Sequence, residues 1–229
     1  MSFSSLAGAA IETDGATGAH DPGVDAAALR AGLRRARQTV DRHAVALTRL
    51  DAVLGDGDHG DNLAIGFRAV EELLAEVPDD VTPGDLLRAV GHRLVATVGG
   101  ASGPLFGTAF IEAGFRAGDA ERLDDALVGE MLTAAAAGLA RRGRCSIGDK
   151  TILDTLAPAA EAFSAAVGEE QGPRAAQASA LRAARAGMRS TKPLVARRGL
   201  ALRLGDRSAG HLDPGAVSCF LLLLALAQR

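Results

Sequence analysis

The amino-acid sequence contains no tryptophan and no tyrosine, and only seven phenylalanines among its 229 residues. A core built from this composition must consist mainly of aliphatic side chains. Only two cysteines occur, Cys145 and Cys219. Two cysteines cannot form a disulfide framework, and their spacing is not that of a metal site. Such a low number of cysteines is typical of a protein from a reducing compartment.

A strong charge excess and a membrane-spanning run are also missing. The formal net charge is -3, which argues against general binding of nucleic acids or of membrane surfaces. The apolar run at residues 216–227 has about twelve residues, whereas a bilayer span needs roughly twenty. The N-terminus lacks the basic and apolar regions of a signal peptide. We therefore expect a cytoplasmic protein that binds neither nucleic acids nor membranes.

Apolar residues recur at helical spacing along almost the whole chain, for example at Leu63, Phe67 and Val70. No stretch alternates clearly enough to predict a strand. Glycines and prolines separate the segments, and the short connections favour antiparallel neighbours. The pattern predicts one all-α domain over residues 24–229, preceded by a loose extension over residues 1–23. Helices are predicted at residues 25–50, 62–77, 84–99, 103–117, 122–142, 148–168, 173–190 and 214–228.

The stretch LDAVLGDGDHGDN, residues 50–62, combines four aspartates with three glycines. A calcium EF-hand is excluded, because Gly60, Asp61 and Phe67 stand where that loop needs a ligand, a glycine and a glutamate. Asp56 and Asp58 alternate with glycines that let the loop fold tightly. Clustered carboxylates repel each other unless a cation or protons neutralise them. The stretch indicates either a magnesium site that also binds phosphates or a solvated acidic turn before a helix.

Four predicted helix starts combine glycine with polar residues. In the fourth helix Ser102 is predicted as the N-cap, and in the eighth Asp213 is the predicted N-cap, with Pro214 at the first position. Helices that run up and down alternate in direction, so the second, fourth, sixth and eighth begin at the same end. That end is predicted to face an anionic, metal-bound ligand, because helix starts carry positive partial charge. The four starts follow Gly60, Gly100, Gly148 and Leu212.

Five motifs occur in order along the chain: LDAVLGDGDHGDN, GGASGPLFGT, GDKTILD, TKPLVARRG and GDRSAGHLDPGA. Their order and approximate spacing resemble those of the nucleotide-binding L subunit of dihydroxyacetone kinase. The resemblance covers roughly Asp25 to the C-terminus. It implies a barrel or bundle of eight antiparallel helices that binds ADP or ATP with two Mg²⁺ ions at one rim. This expectation agrees with the shared end predicted from the helix starts.

The resemblance also implies which residues form the site. Phosphoryl transfer depends on positioning and charge neutralisation more than on covalent help, and no catalytic residue is expected on this chain alone. The implied metal ligands are Asp51, Asp56 and Asp58. The implied nucleotide-binding residues are His59, Gly60, Asp61 and Asn62, then Ala101 and Ser102, then Gly143 and Ile152 at the adenine pocket, and finally Asp213, Pro214 and Gly215.

Two positions depart from the family pattern. Leu200 stands where family members commonly carry an arginine that contacts the nucleotide. Arg198, Arg203 and Arg207 are the nearby candidates to replace that charge at the outer phosphates. Asp61 stands where the family often has an uncharged residue, and it is either a liability near phosphates or a solvated helix cap. Leu200 and the three arginines lie within residues 191–208, which are expected to form a long basic loop.

The implied activity is that of a phosphotransferase, a kinase subunit acting on an alcohol group of dihydroxyacetone or a related short ketose. In the family a separate K subunit holds the ketose, so this chain is expected to be inactive without such a partner. The expected mechanism is that a phosphohistidine protein of the phosphotransferase system rephosphorylates bound ADP. The alternatives are that ATP is the exchanging donor, or that the chain is a non-catalytic nucleotide-binding module. A homodimer is expected.

Overall fold

The computed structural model describes residues 23–228. Within that range the fold is all-α, and the one pairing of extended backbone is an isolated antiparallel bridge between Val24 and Leu123. The all-α prediction is confirmed. Of the predicted N-terminal extension, residues 1–22 lie outside the described residues.

Each predicted segment corresponds to one α-helix of the described chain, and a 3-10 segment, Leu200–Ser208, lies within the predicted basic loop. The helices are α1 (Ala26–Leu54), α2 (His59–Glu76), α3 (Pro83–Thr97), α4 (Ser102–Ala117), α5 (Asp125–Gly143), α6 (Leu153–Gly168), α7 (Pro173–Ser190) and α8 (Pro214–Ala227).

The two helix boundaries that differ most from the prediction, the end of α1 and the start of α6, do so for local reasons. Helix α1 continues past Leu50 to Leu54, and the Gly55 N–H closes its last turn on the Asp51 carbonyl oxygen at 2.6 Å. Helix α6 begins at Leu153 instead of residue 148. The backbone at Gly148 and Lys150 has positive φ angles of 93° and 64°, which a right-handed helix does not allow.

The helices of the described chain pack in a closed series. Each one contacts the next along the sequence, and α8 returns to pack against α1. Their inward faces form an aliphatic core around an apolar cavity of about 250 Å³. None of the described helices combines the length and the apolar character needed to cross a bilayer. The closed series brings the starts of helices that are distant in sequence to the same end.

Helices α3 and α4 approach each other most closely where glycines face backbone. A Cβ added at Gly91 would lie 2.6 Å from the Gly107 carbonyl oxygen, and one added at Gly114 would lie 2.7 Å from the Gly84 carbonyl oxygen. These separations are too short for any side chain, so this helix pair depends on glycine at the crossing. The tight pair fixes the start of α4 relative to α2, which packs against α3.

Candidate functional site

The acidic loop between α1 and α2 gathers three carboxylates. Oxygen atoms of Asp51, Asp56 and Asp58 lie within 4.8 Å of one another, and Asp51 is buried whereas the other two are exposed. Asp51 Oδ2 accepts hydrogen bonds from the backbone N–H groups of Gly57 at 3.0 Å, Asp58 at 3.1 Å and His59 at 3.3 Å. Asp51 therefore shapes the loop that carries the other two carboxylates.

The electrostatics of this loop suit a hard divalent cation. Desolvation by partial burial raises the pKa of Asp58, as do the charges of Asp56 and Asp51, against the lowering effect of a hydrogen bond with Asn62. Carboxylate oxygens are the ligands that Mg²⁺ prefers. The three residues predicted as metal ligands thus lie together, and their donor chemistry and mutual repulsion fit a bound cation.

His59 connects three helix starts at this end of the fold. Its Nδ1 forms a 2.9 Å hydrogen bond with Ser102 Oγ in the first turn of α4, and its Nε2 forms one of 2.9 Å with Ser218 Oγ near the start of α8. Residue His59 itself begins α2. Ile152 before α6 completes the set, because a Cβ added at Gly215 would lie 2.7 Å from Ile152 Cγ1. The prediction that four helix starts share one end is confirmed.

The hydrogen bonds also define the proton positions on the His59 ring. Ser218 Oγ donates its single proton to the Gly215 carbonyl oxygen at 3.0 Å. It therefore accepts from His59 Nε2, which must carry the ring proton. Burial lowers the pKa of His59 to about 4, against the raising effect of Asp51, so the ring is neutral near pH 7. Nδ1 is then an acceptor, and the Ser102 hydroxyl donates to it.

Acidification is expected to destabilise the protein through His59. Its pKa of about 4 in the folded protein lies below the usual 6.5, so the unfolded chain binds more protons between these values. The free energy of unfolding falls as the pH decreases through that window. The slope from this group is at most about 1.4 kcal/mol per pH unit. Urea unfolding between about pH 6.5 and pH 4.5 measures it.

A His59→Gln variant isolates this contribution. Burial raises the pKa of the Asp213 carboxyl to about 7, which stabilises the folded state as the pH decreases and so has the opposite sign. The difference between wild type and His59→Gln cancels the Asp213 effect. The variant should lose stability less steeply on acidification than the wild type. Equal slopes would contradict a buried neutral histidine.

Three of the predicted nucleotide-binding residues occupy the α4 and α8 starts as follows. Ala101, not Ser102, is the N-cap of α4; Ser102 is its first residue, and its hydroxyl bonds to His59 instead of capping the helix. Asp213 is the N-cap of α8 as predicted, and its Oδ2 accepts from the Ala216 N–H at 2.7 Å. The capping prediction is therefore wrong for Ser102 and confirmed for Asp213.

The remaining predicted contacts lie around these starts. Gly60 is buried in the first turn of α2, Asp61 is exposed in that turn, and the N-cap position belongs to Asp58. Asn62 is close to Gly99, where an added Cβ would lie 2.8 Å from Asn62 Oδ1. At the end of α5 and the start of α8 lie the half-buried Gly143 and the buried Pro214 and Gly215.

The three candidate arginines differ in their surroundings. Arg198 Nε lies 3.3 Å from Asp149 Oδ2, so its charge is already paired. Arg203 and Arg207 are exposed on the 3-10 segment and have no ion-pair partner among the described residues. Leu200, at the start of that segment, is 40% exposed. Arg203 and Arg207 therefore lack the ion pair that Arg198 forms, and all three arginines remain predicted candidates for the missing charge.

Three buried polar residues of this end were not assigned from the sequence. Lys150 is 2% exposed, and its Nζ donates to the Thr191 carbonyl oxygen at 2.6 Å and to that of His211. Asp154 is 1% exposed and accepts from the Thr151 N–H at 2.7 Å. Ser218 stands in an apolar run that resembles ordinary core. A lone hydroxyl in that run and a lysine inside GDKTILD were the available signals.

Comparisons with known proteins identify sequences similar to this chain. A family model described as the DAK2 domain matches residues 53–228. The chain is 42% identical over 188 residues to "PEP-dependent dihydroxyacetone kinase 2, ADP-binding subunit DhaL" of Listeria innocua, covering 80% of this chain and 85% of that one. It is 39% identical over 186 residues to the PEP-dependent dihydroxyacetone kinase ADP-binding subunit DhaL of Escherichia coli K12, covering 80% and 88%.

A solved structure has the same fold. It is the crystal structure of the dihydroxyacetone kinase from C. freundii in complex with AMP-PNP and Mg²⁺, with a TM-score of 0.67 and 26% sequence identity. The match covers 94% of this chain and 37% of that chain. The chain therefore spans little more than a third of that longer kinase.

Proposed function

The chain belongs to the DAK2 domain family, and on that premise we propose that it is the ADP- or ATP-binding subunit of a kinase acting on dihydroxyacetone or a related short ketose. One observation carries the proposal: three clustered carboxylates adjoin helix starts that His59 joins at the same end of the fold. Two relatives are kinase subunits whose names specify ADP binding. An anionic, metal-bound nucleotide matches the chemistry of that end.

Asp51, Asp56 and Asp58 are the proposed Mg²⁺ ligands, and two ions are proposed from the family resemblance. Bound Mg²⁺ supplies neutralisation of the charge on phosphoryl oxygens. Asp51 is oriented by three backbone N–H groups, so its carboxylate is fixed before any ligand arrives. The exposed Asp56 and Asp58 leave room for water and phosphate oxygens, which Mg²⁺ usually retains as ligands.

The chain's own groups would bind and orient the nucleotide. The first turn of α4, with Ala101 and Ser102, presents unpaired backbone N–H groups to a phosphate. Because the Ser102 hydroxyl proton points to His59, the lone pairs of Ser102 Oγ have a fixed direction. The same hydrogen bond fixes the position of the helix start. Gly143 and Ile152 are proposed to line the adenine pocket. His59, Gly60, Asp61, Asn62, Asp213, Pro214 and Gly215 are proposed as the remaining contacts.

No group on this chain is proposed to hold the ketose. We propose a separate K-type subunit as its holder, a single domain over residues 24–229, a homodimeric assembly and a cytoplasmic location. The names of the two relatives describe PEP-dependent kinases, which favours rephosphorylation of bound ADP by a phosphohistidine protein. Exchange of ATP is the alternative, because the longer C. freundii kinase, part of which has the same fold as this chain, was crystallised with AMP-PNP.

The nucleotide content of the purified protein tests the proposal. The protein is purified in Mg²⁺, denatured with acid, and the supernatant is chromatographed. Because the chain has no tryptophan or tyrosine, bound adenine should dominate the absorbance of the native protein. We expect close to one ADP per chain if ADP is a retained cofactor. Exchangeable ATP binding after isolation without nucleotide would identify the ATP-dependent mechanism instead.

A non-catalytic nucleotide-binding module is the second candidate, and Leu200 is the observation that favours it. An exposed leucine replaces the arginine that the family resemblance implies at this position. Phosphoryl transfer to dihydroxyacetone in the presence of a K-type subunit separates the two candidates. Transfer supports the kinase subunit, whereas binding without transfer supports the module. No binding of either nucleotide would contradict both.

A further inference from the structure

The buried Lys150 side chain has no role in the proposed binding of metal or nucleotide. It lies in the turn before α6 with a positive φ of 64°, which is uncommon for a residue with a side chain. Burying an ammonium group is costly unless hydrogen bonds compensate. Burial lowers the pKa of Lys150, whereas the nearby Asp213 and Asp154 carboxylates raise it. The hydrogen-bond partners of the Lys150 ammonium group must therefore compensate for its burial.

Those partners are the two ends of one surface segment. Lys150 Nζ donates to the carbonyl oxygens of Thr191 and His211, which directly flank residues 192–210. The segment is also closed at its base, because the Gly210 N–H donates to the Lys192 carbonyl oxygen at 2.7 Å. One ammonium group therefore bridges the point where the segment leaves α7 and the point where it returns toward α8.

The bridge extends to the start of α8. Thr191 Oγ1 accepts a hydrogen bond of 3.1 Å from the Asp213 N–H, and Asp213 caps α8. Asp149, the residue before Lys150, holds the middle of the same segment. Its carbonyl oxygen accepts from the Arg197 N–H at 3.1 Å, and its carboxylate pairs with Arg198. The turn at residues 149–150 thus anchors the segment at both ends and at its middle.

We propose that Lys150 is a positioning residue that holds residues 191–213 against the nucleotide end of the fold. It acts through the Thr191 and His211 carbonyl groups and touches neither metal nor nucleotide. The segment carries Arg203 and Arg207, and its end leads into the turn of Asp213. Lys150 thereby determines how slowly bound nucleotide leaves. This consequence for the nucleotide rests on the proposed function, whereas the anchoring itself does not.

Hydrogen exchange of the nucleotide-free protein tests the anchor. We compare wild type with Lys150→Met, which keeps an unbranched side chain without the ammonium group. The amides of Arg197, Gly210 and Asp213 should exchange at least about tenfold faster in the variant, because their segment loses its bridge. The amides of Gly57 to His59, which bond to Asp51, should not change and serve as an internal control.

Lys192→Met is the matched variant control. Lys192 lies on the same segment, but its side chain is exposed. The substitution removes the same charge without removing the bridge, so exchange should stay at the wild-type rate. As a specific rescue, propylammonium ion added to Lys150→Ala should restore slow exchange by placing an ammonium group in the vacated space. Equal exchange in wild type and Lys150→Met, or loss of the whole fold in the variant, would overturn the proposal.

Dissociation of a fluorescent ADP analogue then tests the consequence for function. We expect release at least about tenfold faster from Lys150→Met than from wild type or Lys192→Met. Unchanged release with faster exchange would overturn the link to nucleotide retention. A wild-type protein that binds no nucleotide would overturn the proposed function, while the exchange experiment would still decide whether Lys150 is the anchor.

Discussion

Asp56→Asn and Asp58→Asn are each expected to weaken Mg²⁺-dependent ADP binding by about 100-fold or more while leaving the nucleotide-free protein at least as stable as wild type. Each substitution removes one proposed ligand and one negative charge, and a loss of about 2.8 kcal/mol of binding corresponds to that factor. Desolvation and the charges of its acidic neighbours already raise the pKa of Asp58. Removing one charge relieves that repulsion, so binding and stability should change in opposite directions.

Titration with ADP in the presence and absence of Mg²⁺, together with thermal unfolding, measures both quantities. Asp80→Asn is the matched control, because Asp80 is exposed in the turn between α2 and α3 and lies outside the carboxylate cluster. Its affinity should stay close to that of the wild type. If either cluster variant bound ADP with wild-type affinity, the substituted residue would not be a metal ligand.

Gly60→Ala is expected to destabilise the protein by about 3 kcal/mol or more, the upper part of the range for forced overpacking. A Cβ at this position would collide with the Ala44 carbonyl oxygen and lie 2.8 Å from Thr48 Oγ1. Both atoms belong to α1, and the carbonyl oxygen cannot move unless the helix moves. For a domain of this size the unfolding temperature should fall by roughly 10 °C, and nucleotide binding should weaken because the acidic loop is displaced.

Gly168→Ala provides the control for that experiment. Gly168 lies at the end of α6, and an added Cβ would meet no atom within 4 Å. The same substitution there should change the free energy of unfolding by less than about 0.5 kcal/mol. Thermal and urea unfolding of both variants would decide the matter. Equal stability of Gly60→Ala and Gly168→Ala would mean that α1 and α2 separate easily at this point.

Several of the features that sequence reasoning predicted correctly are local. Helical periodicity predicted the all-α class, and the spacing of Asp51, Asp56 and Asp58 predicted a carboxylate cluster that the structure contains. The Asp213–Pro214 pair predicted a helix start, because a cap and a proline at the first position act within one turn. Each of these signals depends on neighbours in the sequence, so no tertiary information was needed.

The features that sequence reasoning missed depend on distant partners. The Ser218 hydroxyl bonds to a residue 159 positions away, and Ser102 bonds to His59 instead of to its own helix. Lys150 is buried because two carbonyl groups far along the chain converge on it. A residue type at a given position does not reveal such partners. Likewise, the prediction of a plain basic loop missed the 3-10 segment, whose Ser208 is fixed by a hydrogen bond from the Ala196 N–H at 2.8 Å.

The return of α8 to α1 places the two ends of the described domain side by side. Arg35 in α1 donates a 3.2 Å hydrogen bond to the Ala225 carbonyl oxygen, and Leu226 packs near Gly32. A domain with adjacent ends can be joined to a longer polypeptide at one point, or circularly permuted, without opening its ring of helices. The same architecture can therefore serve as a separate subunit or as a module fused to other domains, as the partial coverage of the C. freundii kinase illustrates.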